Sequence, residues 1–267
     1  MDNRPIGVFD SGLGGLTVVK SITENLPYED IVYLGDTARV PYGNRSKETL
    51  LSYVKSDFEF LLSKDVKAVV IACNTADSRT RPEMEEMFHI PIIGVVAPAG
   101  KEAAITTKNN KIGVIGTEAT VESGAYPNII KKTNPDATVI QTAAPLLVPL
   151  VEAGRTAPGD IVTENVLRGY LEPMAEHGID TLILGCTHYP LLKDIIASIL
   201  PGVNLICSGF ASTNSLIDTL GALRLSNKSD HVAKVEYFVS DAPESFAKHA
   251  GVFLQKEISG LVKKVKL

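Results

Sequence analysis

The stretch Val69-Val70-Ile71-Ala72-Cys73-Asn74-Thr75 is a short apolar run that ends in a cysteine and two hydrogen-bonding side chains. The same pattern returns as Leu182-Ile183-Leu184-Gly185-Cys186-Thr187-His188. Ahead of each copy, at nearly equal offset, stands a second pair of echoes: Ile6-Gly7-Val8-Phe9-Asp10-Ser11 and Ile112-Gly113-Val114-Ile115-Gly116-Thr117. The chain therefore reads as two similar lobes, each with a first strand ending in small polar residues and a later strand ending in cysteine. Working outward, strand-like runs occur at 6–9, 31–34, 68–72, 92–96, 111–115, 137–140, 181–184 and 204–206. They are short and apolar on both faces, as parallel strands covered on both sides by helices are. Stretches of helical period, such as 46–62 and 160–177, lie between them. Strand–helix alternation predicts an α/β fold with open parallel sheets flanked by helices. The stretch Pro98-Ala99-Gly100 suits a linker between the lobes.

Composition narrows the function. The chain has 267 residues, enough for one large or two small domains at roughly 150 residues each, and 45% of them are apolar. Lys and Arg total 26 against 31 Asp and Glu, a formal charge of −5 with no basic run beyond Lys263-Lys264. That excludes a nucleic-acid binder as the expectation but leaves room for a small anionic ligand in a locally positive pocket. The longest apolar stretch, 143–151, is broken by Pro145 and Pro149 and falls far short of the about 20 residues a membrane helix needs. Met1-Asp2-Asn3-Arg4-Pro5 leads directly into a strand-like run without a signal-peptide core. Three cysteines do not make a disulfide scaffold, so a reduced, cytoplasmic protein is expected.

The cysteines then need a purpose. In open α/β sheets ligands sit beyond the carboxyl ends of the strands, where Cys73 and Cys186 both fall. Across a cleft the two thiols face each other, a geometry for adding a proton to one face of a carbon while removing one from the other. A lone cysteine at a strand end packs about as often as it reacts; two in matching positions, each followed by hydrogen-bonding residues, favour chemistry. Other readings compete. Cys73, Cys186, His188 and Cys207 form a zinc set only with spacing poor for a compact site. Cys186 with His188 makes a nucleophile–base pair for acyl transfer, which leaves Cys73 without a role. The glycine-rich Asp10-Ser11-Gly12-Leu13-Gly14-Gly15 turn brings backbone N–H groups toward an anion, yet lacks the last glycine of a dinucleotide fingerprint. No Walker-type lysine motif accompanies it. A metal-free, cofactor-free reaction is expected.

Five motifs in order resemble those of bacterial glutamate racemases, within the aspartate/glutamate racemase family. They are Asp10-Ser11-Gly12-Leu13-Gly14-Gly15-Leu16-Thr17, Gly35-Asp36-Thr37-Ala38-Arg39-Val40-Pro41-Tyr42-Gly43, Ala72-Cys73-Asn74-Thr75-Ala76, Gly113-Val114-Ile115-Gly116-Thr117 and Gly185-Cys186-Thr187-His188-Tyr189-Pro190. Together they span nearly the whole chain, and the Pro-Tyr-Gly element favours glutamate over aspartate or hydantoin relatives. The resemblance implies cofactor-independent interconversion of L- and D-glutamate, feeding peptidoglycan synthesis. It implies two lobes with the active site between them, one formed by residues 1–98 plus 208–267 and the other by 99–207. It implies a homodimer, which no surface pattern in the sequence locates.

Residue by residue, the resemblance makes Cys73 the base for D-glutamate and Cys186 the base for L-glutamate. Asp10 and His188 become their supporting acid–base groups, and Glu152 a further acidic residue. Substrate contacts carry over to Asp10, Ser11, Tyr42, Gly43, Asn74, Thr75, Thr187 and His188. A free thiol titrates at about 8.5, so a modest shift makes it a usable base. Two departures stand out: Cys207-Ser208-Gly209 where the family usually has Asp-Ser-Gly, which reads as a packing cysteine, and Val96-Ala97-Pro98-Ala99-Gly100 where an acidic residue before the proline is more usual. The chain shows no N-terminal extension like that of precursor-activated forms, so such activation is not expected. An aspartate racemase and a non-catalytic glutamate-binding protein are the alternatives.

Overall fold

The computed structural model describes residues 2–227 and 232–267; Met1 of the N-terminal reading, and 228–231 of the expected first lobe, lie outside them. The first four strands are β1 (Ile6–Asp10), β2 (Ile31–Gly35), β3 (Ala68–Ile71) and β4 (Ile92–Gly94), joined through helices α1 (Leu16–Asn25), α2 (Lys47–Leu62) and α3 (Asn74–Met87). Helix α4 (Val96–Thr106) leads to β5 (Lys111–Gly116), α5 (Glu118–Glu122), α6 (Ala125–Thr133), β6 (Thr138–Ala143), α7 (Leu147–Glu152) and α8 (Ile161–Glu176). Then come β7 (Thr181–Gly185), a short 3-10 turn, α9 (Lys193–Ile199), β8 (Asn204–Cys207) and α10 (Ser208–Ala222). The chain ends with β9 (Val235–Val239), α11 (Pro243–Leu254) and β10 (Val262–Lys264).

Two sheets result, with strand orders β10-β9-β2-β1-β3-β4 and β6-β5-β7-β8. Every pairing is parallel. The order of β1 to β4 within the first sheet is repeated by β5 to β8 in the second. The echoes in the sequence are thus the same topological unit built twice. In each unit the chain leaves its first strand toward one side and returns on the other, so a crevice opens between β1 and β3 and between β5 and β7, where such sheets bind ligands.

All eight expected strands are present, and local chemistry explains the helices between them. Ser46 caps α2 by accepting from the Thr49 N–H, and Asp160 caps α8 by accepting from Thr163, each satisfying one donor left open at a helix start. In α2, Leu50, Val54, Asp57, Phe58 and Leu61 share the buried face. That face joins Phe9, Leu34 and Ile71 in one core cluster on one side of the first sheet. On the other side, α1, α4 and α10 belong to a core that runs without interruption into the second sheet.

Two readings need correction. Pro98-Ala99-Gly100 is no linker but the first turn of α4, with Ala99 and Gly100 buried; Pro is tolerated in a first turn, where its missing N–H has no partner to lose. Strands β9 and β10 escaped the sequence reading. β10 is an edge strand with two lysines in its three residues, a composition that blunts edges and hides the apolar signature. Among the described residues no helix is long and apolar enough to cross a membrane.

Candidate active site

The carboxyl ends of both crevices open into one cavity of about 500 Å³. From the first sheet come Asp10, Ser11 and Gly12 after β1, Cys73, Asn74 and Thr75 after β3, and the loop 40–44. From the second come Thr117 and Glu118 after β5, Glu152 and apolar residues of α7, and Cys186, Thr187 and His188 after β7. Every site residue expected from the sequence lines this cavity. Cys207, in contrast, ends β8 and packs half-buried against the core, away from the cavity lining. The four-ligand zinc alternative therefore has no common site, and among the described residues no group of three or more His, Cys, Asp or Glu is placed to hold a metal ion.

The two thiols sit in unlike surroundings. Cys73 is the residue before α3 and is buried, its Sγ 3.7 Å from Ser11 Oγ. Burial, then the Asp10 charge, pushes its thiol up to about 12, so it is neutral near pH 7. Asp10, at the end of β1, accepts from the Gly12 N–H at 2.9 Å through Oδ2, while its buried Oδ1 has no partner. Cys186 Sγ lies 3.7 Å from His188 Nδ1, and His188 Nε2 lies 3.1 Å from Glu152 Oε1. With acceptors at both ring nitrogens, this histidine is wired as an imidazolium. Burial opposes that charge, but the hydrogen bonds to Cys186 and Glu152, helped by the charges of Cys186 and Asp10, raise His188 to about 10. The His188 ring thus brings a positive charge within 3.7 Å of the Cys186 sulfur.

Supporting residues hold the geometry. Asn74 donates to Tyr126 Oη at 2.8 Å, Thr75 and Thr117 hydroxyls pair across the cavity at 2.9 Å, and Thr17 Oγ1 donates to the Thr187 carbonyl at 3.0 Å. Tyr42 lines the cavity, while its buried Oη hydrogen-bonds Asp36 and Asp57, neither of which lines it. Sequence reasoning missed Thr117, although the echo that pairs Gly116-Thr117 with Asp10-Ser11 marks it. It also missed Phe253, on α11, whose ring meets His188 edge to face at 5.5 Å; no local signal marks a contact made from so far along the chain.

A sequence model of the Asp/Glu/Hydantoin racemase family matches residues 18–216. The chain is 47% identical to a glutamate racemase of Persephonella marina, over 91% of this chain and 90% of that one. It superposes on the crystal structure of a glutamate racemase isoform from Bacillus anthracis with a TM-score of 0.94 at 38% identity, covering 100% of this chain and 99% of that one. A glutamate racemase from Francisella tularensis, solved with D-glutamate, gives 0.91 at 38% identity, covering 100% and 98%. The matched segment takes in both strand-end cysteines, and this chain belongs to the Asp/Glu/hydantoin racemase family.

Proposed function

We propose that this chain is a glutamate racemase, an isomerase that inverts the α-carbon with two opposed thiols and no cofactor. One observation carries the reading: two buried cysteines, at equivalent ends of a duplicated unit, line a single cavity. In the L-to-D direction the Cys186 thiolate takes the α-proton. An S–H bond forms as the C–H bond breaks, and the electron pair stays on the α-carbon, spread into the carboxylate. Cys73 S–H then delivers its proton to the opposite face, leaving Cys73 as thiolate and Cys186 as thiol; the D-to-L direction is the reverse. A single base tends to return the proton to the face it came from, whereas a pair inverts the centre. The α-proton is far less acidic than a thiol, so backbone N–H groups and the Asn74, Thr75 and Thr187 side chains must stabilise the carbanionic carboxylate in a site screened from water.

The neutral state of Cys73 and the imidazolium at His188 support a resting enzyme set for L-glutamate. Asp10, with a buried oxygen free of partners, serves Cys73 and accepts from the substrate ammonium. His188, held by Glu152, serves Cys186. Tyr42 and Gly43 contribute main chain to substrate binding. Sheet membership supports the expected lobes, 1–98 with 208–267 and 99–207: β1–β4, β9 and β10 form one sheet and β5–β8 the other. The product supplies peptidoglycan synthesis in the cytoplasm, and the active species is a homodimer.

The test is polarimetry with L-glutamate, no added cofactor and a chelator present. Rotation decays to zero and the α-hydrogen exchanges in deuterated water. Cys73→Ser and Cys186→Ser each abolish racemisation; full activity in either refutes the two-base scheme. Turnover of aspartate equal to or better than glutamate overturns the substrate, and ligand binding without loss of rotation overturns catalysis.

A further inference from the structure

Beneath the cavity wall formed by residues 40–44 lies a second cluster of titratable groups that the reaction does not touch. Asp36 follows β2, Arg39 and Tyr42 belong to the loop, and Asp57 lies on the buried face of α2. Both aspartate side chains are 0% exposed and that of Arg39 19%. Arg39 Nε donates to Asp36 Oδ2 at 2.5 Å and Nη2 to Asp57 Oδ1 at 2.8 Å. Ser240 Oγ accepts from the Ala38 N–H and donates to Asp36 Oδ1, both at 2.8 Å. Tyr42 Oη stands 2.5 Å from Asp36 Oδ2 and 3.1 Å from Asp57 Oδ2.

Counting protons decides the charge state. Tyr42 has one hydroxyl proton and two carboxyl oxygens beside it. Given to Asp36, the nearer, it leaves Asp57 Oδ2 facing the phenolic oxygen with no hydrogen between them, a buried contact of lone pairs. A proton on Asp57 Oδ2 resolves this. Asp57 then donates to Tyr42, Tyr42 donates to Asp36, and Arg39 closes the ring on both carboxyls. Asp36 accepts three donors and bears the charge; Asp57 accepts one. One guanidinium then faces one carboxylate, as burial demands.

We propose that Asp57 is a neutral carboxylic acid whose proton completes this ring, and that the ring positions the Tyr42-Gly43 wall of the substrate cavity. Asp57 is a positioning residue, acting through Tyr42. The groups facing it agree. Burial and then the Asp36 charge push its acid well above the usual carboxylate range, Asp10 adding to them, while Arg39 and the Tyr42 hydrogen bond pull the other way. Asn is isosteric with the neutral acid, its amide N–H replacing the acid O–H toward Tyr42 and its carbonyl accepting from Arg39.

The claim about the wall rests on the racemase reading, whereas the claim about the proton does not, so the experiment has two arms. In the infrared difference spectrum of the full-length wild type minus Asp57→Asn, a carbonyl stretch of a protonated carboxylic acid is expected. In glutamate assays Asp57→Leu raises KM about tenfold, the loss of one to two buried hydrogen bonds, with kcat nearly unchanged. Asp57→Asn brings KM back to within about twofold of wild type. An absent acid band, or an Asn variant with a KM as high as that of Leu, overturns the proposal; if the Leu variant does not fold, the band and the Asn KM compared with wild type decide. A wild type that racemises no glutamate defeats the functional reading, and the band still reports on Asp57.

Discussion

Cys73 and Cys186 are the same residue in the same strand-end position, yet folding gives them unlike neighbours. Burial and then an acidic neighbour push the first thiol up to about 12, while the His188 ring stands beside the second. Alkylation by iodoacetamide at neutral pH, mapped by mass spectrometry, is therefore expected at Cys186 well before Cys73, because Cys73 is held protonated and only a thiolate attacks. His188 lies at the centre of this asymmetry. His188→Asn should lower kcat/KM for L-glutamate by about 10²-fold or more, the scale of a lost acid–base group. Folding raises His188 from 6.5 to about 10, so the native state binds the proton more tightly. Its contribution to stability is complete below pH 6.5 and is lost as pH rises to about 10. Urea unfolding across that range should show wild-type stability falling more steeply than that of His188→Asn.

The junctions between elements are built by close approach. Gly14, between β1 and α1, lies so near the second sheet that a Cβ there would overlap Thr187 Oγ1 and sit 2.5 Å from His188 Nδ1. Gly14→Ala should displace that pair, cutting activity at least about tenfold, and destabilise the fold by the ~1–3 kcal/mol typical of overpacking. Where the chain passes from β4 to α4, buried Asp77 of α3 accepts from the Val96 N–H at 2.7 Å and caps the helix; a side chain at Gly94 would overlap its carboxylate. Burial holds Asp77 up at about 6 against the pull of Arg81 and the helix N–H groups. The sign is opposite to the common carboxylate case: the native state favours the proton, so stability is lost as pH rises from 3.8 to about 6. Asp77→Asn should flatten that dependence, read from urea midpoints.

Two copies of one topology face each other with their ligand-binding ends together, and the core that joins them through α4 and α10 is continuous. The cavity is lined by both units and exists only where they meet. Saturating glutamate should therefore raise the melting temperature of the Cys73→Ser variant, in which binding proceeds without turnover, corresponding to about 2.7 kcal/mol at a hundredfold excess over Kd. Sedimentation equilibrium tests the dimer, and a monomer with full activity would count against it.

The buried parallel strands and the capped helices were legible in the chain because their causes are local: apolar runs for strands covered on both faces, and Ser46 or Asp160 for helix starts. Much of the candidate site was legible for the same reason, since Asp10, Ser11, Cys73, Asn74, Thr75, Cys186, Thr187 and His188 lie at or just past strand ends, which converge in any sheet of this topology, whereas Tyr42, Gly43 and Glu152 were marked only by the family resemblance. What could not be read is whatever depends on residues distant in sequence. β10 is a strand because Val262 lies beside Tyr237, not because Val-Lys-Lys prefers to be one. The Tyr42 hydroxyl bonds to Asp36 and Asp57 because folding sets both beside it. The difference between two chemically identical thiols arises from the charges that folding sets beside them, and a linear pattern cannot express distances of 3 to 4 Å.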